Sequence, residues 1–148
     1  MEKTFFNILH VEDNPADALL MKELFKGVKT AHKISVVKHG GEALDFLKRR
    51  GEFGASVMPD IIILDLNLPV MDGREFLAEI KSDEHFKQIP VIVLTTSVAQ
   101  EDIRACYKNY ASCYLNKPIE LDEYRKIVEQ IESFWFTTVS LPEPESLG

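Results

Sequence analysis

Cysteine is scarce: the 148-residue chain carries only Cys106 and Cys113. Two unpatterned thiols support neither a disulfide framework nor a zinc site, and they read as reduced, partly buried side chains. Long apolar runs are also missing. None approaches the ~20 residues that span a bilayer. Met1-Glu2-Lys3-Thr4 lacks the basic region, apolar segment and cleavage site of a signal peptide. A cytoplasmic location is therefore expected. Positive charge is in deficit, with 17 Lys and Arg against 24 Asp and Glu and a net charge of −7. That balance argues against binding to nucleic acid or to an anionic membrane. There is no Walker-type motif, and His39-Gly40-Gly41 is too short for a phosphate-cradling loop. His32, His39 and His85 show no metal spacing. No internal repeat or linker divides the chain, and nothing after the last helical pattern is long enough for a DNA-binding domain.

An apolar fraction of 45% is enough for an ordinary core in one domain. Apolar runs alternate with amphipathic stretches five times. Strands are predicted near 5–11, 33–38, 61–64, 91–95 and 113–116, and helices near 15–27, 41–50, 73–82, 98–108 and 121–135. The third and fourth runs are continuously apolar, as in parallel strands covered on both faces. The alternation predicts an α/β fold with right-handed crossovers. Asn14-Pro15-Ala16-Asp17 offers an N-cap, a proline at the first helical position and an early acid. Asp72-Gly73-Arg74-Glu75 and Ser97-Val98-Ala99-Gln100 both have capping-box spacing. Residues 1–136 are expected to form the domain and 137–148 a tail, with 137–141 extended.

Four apolar runs end in residues suited to phosphoryl chemistry. Val11 is followed by Glu12-Asp13, Leu64 by Asp65, Leu94 by Thr95 and Asn116 by Lys117-Pro118. In a parallel sheet all four ends lie at the carboxyl edge, where such folds bind ligands. If the first and third strands are neighbours, Glu12, Asp13 and Asp65 meet. Crowded carboxylates call for a divalent cation, and oxygen ligands favour a hard ion such as Mg2+. The backbone carbonyl of Asn67 would complete that set. Asp65 is the best placed nucleophile and can form an acyl phosphate. Lys117 would neutralise charge on the transferring oxygens, and Thr95 offers them a hydroxyl. Each residue alone has a plainer reading: a polar turn, a strand end, a strand-forming threonine, a loop lysine. Together at one edge they make that reading improbable.

Val11-Glu12-Asp13-Asn14, Leu64-Asp65-Leu66-Asn67-Leu68-Pro69 with Met71-Asp72-Gly73, Pro90-Val91-Ile92-Val93-Leu94-Thr95 and Tyr114-Leu115-Asn116-Lys117-Pro118 resemble the signature blocks of response-regulator receiver domains. The resemblance runs in order from about residue 5 to residue 133. It is strongest to stand-alone regulators paired with phytochromes, through Glu12-Asp13-Asn14-Pro15-Ala16-Asp17, Leu94-Thr95-Thr96-Ser97, Cys113-Tyr114 and Phe134-Trp135 followed by Leu141-Pro142. It implies a flavodoxin-like, doubly wound sheet of five parallel strands in order 2-1-3-4-5 with five helices. It implies that Asp65 accepts phosphate from a sensor histidine kinase and that Glu12 and Asp13 hold Mg2+ with Asp65 and the Asn67 carbonyl. Lys117 would contact the phosphoryl group, Thr95 would swing towards it, and Tyr114 would change rotamer. Asn67 and Ser97 occupy positions that tune acyl-phosphate lifetime. Two departures stand out: Glu12 replaces a frequent aspartate, and Thr96 a frequent alanine.

His10, inside the first strand, reads as a buried, hydrogen-bonded core residue. The implied readout face is the fourth helix, fifth strand and fifth helix. Phe134, Trp135 and Phe136 cannot all face one side of a helix, so they are candidates for a homodimer contact. Two rival functions share the residues. A phosphatase of the haloacid dehalogenase type also uses an aspartate nucleophile and magnesium, but needs an acid where Asn67 stands. A degenerate receiver would only bind partners, which the intact acid, hydroxyl and lysine set disfavours.

Overall fold

The computed structural model describes residues 3–144. Five strands, β1 (Phe5–Val11), β2 (Ala31–Val37), β3 (Ile61–Leu64), β4 (Val91–Thr95) and β5 (Cys113–Asn116), alternate with five α-helices. These are α1 (Pro15–Phe25), α2 (Gly40–Lys48), α3 (Gly73–Lys81), α4 (Gln100–Lys108) and α5 (Leu121–Ile131). The strands are all parallel and lie in the order β2-β1-β3-β4-β5, the flavodoxin-like, doubly wound arrangement expected.

The pleat explains the continuous apolar runs. Successive side chains of β3 and β4 point to opposite faces, and both faces are covered. Leu9, Val11, Ile62, Leu64, Val91 and Val93 pack with residues of α2, α3 and α4. Phe6, Ile8, Ile61, Ile63, Ile92 and Leu94 pack with residues of α1 and α5. The chain order reverses at β1 and β3, so their carboxyl ends form the switch point.

Two helix starts follow the expected chemistry. Asn14 Oδ1 accepts from the Ala16 and Asp17 amides, and Asp72 Oδ1 from the Arg74 amide. The third does not. The expected capping box at Ser97 is absent: α4 begins only at Gln100, and its N-cap, Ala99, has no capping side chain. The Ser97 hydroxyl instead donates to Asp102 Oδ2 at 2.6 Å.

The end of the domain also differs. Beyond α5 the backbone widens into a π-helical turn, Glu132–Thr138, closed by a bond from the Val139 amide to the Phe134 carbonyl five residues back. Helix thus continues two residues beyond 136, where an extended segment is expected. Leu141 packs on the α1/α5 side of the core, and 145–148 of the tail lie outside the described residues. Phe136 is 7% exposed and stacks on Phe6 with ring centroids 4.5 Å apart. It is core, not a surface for a partner. Trp135 is half-buried against the same core, and Phe134 is 50% exposed.

Candidate functional site

Val11 of β1 and Leu64 of β3 are paired in register, so the residues that follow them emerge side by side. The Asp65 amide still bonds the Val11 carbonyl at 3.1 Å, and the Glu12 amide bonds the Val37 carbonyl at 2.9 Å. These ladder bonds fix both backbones while their side chains leave the sheet edge. Glu12, Asp13 and Asp65 then offer carboxylate oxygens that all lie within 4.8 Å of one another. Glu12 and Asp65 are buried and Asp13 is exposed. The predicted meeting of the three acids is therefore present. An all-oxygen, strongly anionic donor set of this kind suits a hard divalent cation that keeps part of its water, as magnesium does.

Lys117 enters from the end of β5. Its amide bonds the Thr95 carbonyl at 2.8 Å, one residue past the last paired position of the strand, Asn116. The ammonium, with a side chain only 9% exposed, donates to Glu12 Oε1 at 2.5 Å, Asp17 Oδ2 at 2.9 Å and Asp65 Oδ2 at 3.0 Å. Burial alone would depress the Lys117 pKa, but its bonds to Glu12, Asp17 and Asp65 outweigh that and hold it well above the usual ammonium value. Burial raises the Glu12 carboxyl to about 7, against the pull of the Lys117 bond, and the Asp65 charge adds to the rise. The Asn67 amide steadies Asp65 Oδ1 at 3.3 Å. Glu12, one methylene longer than aspartate, also reaches the Asn14 amide with Oε2 at 3.2 Å.

Behind Asp65 the packing leaves no slack. A Cβ on Gly73 would overlap the Asp65 carbonyl oxygen and lie 2.7 Å from Leu66 Cα. Helix α3 can approach the end of β3 this closely only because its first residue has no side chain.

Thr95 is fully buried, its hydroxyl 3.5 Å from the Ser97 amide. Ser97 is a junction. Its carbonyl accepts from both the Tyr114 hydroxyl and the Asn116 side-chain Nδ2, each at 2.9 Å. Its hydroxyl meets Asp102, whose carboxylate is gripped by Arg74 through Nε at 2.7 Å and a terminal nitrogen at 2.8 Å. Arg74 also pairs with Asp72 at 2.9 Å. The Arg74 and Ser97 bonds lower the Asp102 carboxyl to about 2. This network joins the loop after β3 to α4 and β5. Sequence reasoning missed it, because a serine before a helix signals a cap and an arginine on α3 signals only a polar face.

Asp17 was likewise visible only as an acid in the first turn of α1. Its partner stands 100 residues away. His10 is buried as expected, at 2% exposure, and burial followed by the Lys117 charge lowers it to about 4. The expected hydrogen bond is not found at Nδ1, which has no partner among the described residues.

The sequence matches the response regulator receiver domain family over residues 8–129, and the chain belongs to that family. It is 47% identical over 135 residues to response regulator Rcp1 of Synechocystis sp., covering 91% of this chain and 92% of that protein. The fold superposes on the Mn2+-bound form of Rcp1 with a TM-score of 0.88 and 46% identity, over 93% of this chain and 99% of the other. It superposes on the phosphorylated cyanobacterial phytochrome response regulator RcpA with a TM-score of 0.90 and 44% identity, over 94% and 99% of the two chains.

Proposed function

We propose that this protein is a single-domain response regulator of a two-component phosphorelay, working in the cytoplasm and phosphorylated on Asp65. The observation that carries this reading is the convergence of one buried ammonium and three clustered carboxylates on a single strand end. The carboxylate oxygen of Asp65 attacks the phosphorus of a phosphohistidine on a sensor kinase. The P–N bond breaks as the acyl P–O bond forms. Lys117, 3.0 Å from Asp65 Oδ2, stands where negative charge gathers on the transferring oxygens. Glu12, Asp13, Asp65 and the Asn67 carbonyl would hold Mg2+, which would neutralise charge on both the carboxylates and the phosphoryl group.

Thr95 then turns its hydroxyl to the phosphoryl group, and the Ser97 junction passes the change to Tyr114 and the α4-β5-α5 face. Such a switch biases an equilibrium by ~1–3 kcal/mol. Asn67 and Ser97, flanking the site, set the acyl-phosphate lifetime. A phytochrome-type histidine kinase is the proposed donor, in line with the description of RcpA as a phytochrome response regulator. A homodimer through the α4-β5-α5 face, using Phe134 and Trp135, is the proposed active assembly. The protein acts on its own phosphorylation and dephosphorylation and does not turn over an external metabolite. The phosphatase alternative lacks its second acid at Asn67 and has no support from the family match.

Incubation with acetyl phosphate and Mg2+ tests the reading. One acid-stable, base-labile phosphoryl group per chain is expected, and Asp65→Asn should lose it. Sustained multi-turnover hydrolysis of phosphomonoesters would refute it.

A further inference from the structure

The three protons of the Lys117 ammonium are shared among three carboxylates, and those carboxylates are not equivalent. Glu12 and Asp65 belong to the oxygen cluster fit for a cation, while Asp17 does not. A cation bound there draws on Glu12 and Asp65. A phosphoryl group on Asp65 draws on it again. Asp17 is then the one acid of the three left to hold the ammonium. It is well placed to do so. Its amide is tied to the Asn14 cap at 3.2 Å, and its carboxylate sits in the first turn of α1, where the helix dipole favours negative charge. Its side chain is 30% exposed, against 1% for Glu12 and 7% for Asp65, so it keeps its charge at less desolvation cost than either.

We propose that Asp17 is a positioning residue for Lys117: it draws the ammonium off Glu12 and Asp65 so that those carboxylates are free to take a divalent cation. This rests on the reading of the acid cluster as a metal site. Without Asp17, Lys117 leans wholly on the two carboxylates a cation needs, and cation and ammonium compete for them.

The test is Mn2+ binding to the whole protein, followed through the electron paramagnetic resonance of free Mn2+, in a double-mutant cycle. Asp17→Asn should weaken Mn2+ binding by about fivefold or more, the low end of typical site-to-site couplings. Asp17→Glu should restore most of the affinity. In a Lys117→Met background the effect of Asp17→Asn should vanish, because no ammonium remains to be positioned. Lys117→Gln serves as the background if the methionine variant loses its far-ultraviolet circular dichroism. Equal weakening in both backgrounds would show that Asp17 acts only as one more negative charge, and would overturn the proposal. So would unchanged or tighter binding in Asp17→Asn alone. Failure of the wild-type protein to bind Mn2+ would remove the metal-site reading as well, which separates the two failures.

Discussion

Gly73→Ala adds one methyl group at the point where α3 meets the phosphorylation site, and its cost can be worked from the packing. The new Cβ would lie 2.7 Å from Leu66 Cα and 3.1 Å from the Asp65 carbonyl carbon. Carbon atoms pack at about 3.5–4.0 Å, so α3 and the end of β3 must part by roughly 1 Å. Neither side yields cheaply. The strand end is tied by the Asp65 amide to Val11 at 3.1 Å, and α3 is anchored by buried Phe76, Leu77 and Ile80. Overpacking of this kind costs about 1–3 kcal/mol. The gain in helix propensity from Gly to Ala is at most ~1 kcal/mol, and less in a first turn. Net destabilisation of about 1–2 kcal/mol is expected, read as a lower urea midpoint at unchanged slope. The displacement also moves Asp65 relative to Lys117. A 1 Å error in a reacting group can cost ~100-fold, so the initial rate of labelling by acetyl phosphate should fall at least ~10-fold at saturating Mg2+. Gly54→Ala is the control, since its Cβ would meet nothing closer than 3.6 Å. A Gly73→Ala protein with wild-type midpoint and wild-type labelling rate would refute the claim that this glycine sets the position of Asp65.

Asp102 supplies a pH prediction. Its folded pKa, about 2, lies below its ordinary 3.8, so the unfolded chain takes up the proton first as pH falls. The Arg74–Asp102 contact therefore contributes in full above about pH 4 and is lost as pH falls from there towards 2. Allowing for solvent screening, the loss is about 1 kcal/mol. Urea unfolding of the wild type and Asp102→Asn should converge across that window; a stability difference independent of pH would contradict the assignment. Phe136→Ala removes a buried ring stacked on Phe6 and should cost about 3–4 kcal/mol in denaturant unfolding. Phe134→Ala, at a half-exposed ring, should change stability by no more than about 0.5 kcal/mol.

The sheet was legible because period and burial agree. Ile61-Ile62-Ile63-Leu64 has no polar face, and the structure shows why: alternate side chains feed two separate cores. The residues closing those strands could be grouped before any geometry was known, since a parallel sheet brings every carboxyl end to one edge. The parts that escaped depend on long-range contacts or on a change of helical period. Asp17 carries the same signal whether it only softens a helix terminus or grips Lys117. Ser97 has cap spacing, yet its hydroxyl goes to Asp102, and α4 starts three residues later. Phe134, Trp135 and Phe136 were phased on a 3.6-residue turn, whereas the π-helical turn there carries Phe136 inward onto Phe6. His10 is expected to be buried and hydrogen-bonded. It is buried, but its Nδ1 has no partner among the described residues, because alternation reports which face a side chain takes and not what polar atoms wait there.

The role of Asp65 as acceptor is tested most directly by which residue carries the phosphoryl group. Labelling the protein with acetyl phosphate and Mg2+, reducing the acyl phosphate with borohydride and sequencing the digest by mass spectrometry locates it. Modification at Asp65, with Glu12, Asp13 and Asp17 unmodified, is the predicted result. Modification at one of those acids instead, or at a serine, threonine or histidine, would contradict it.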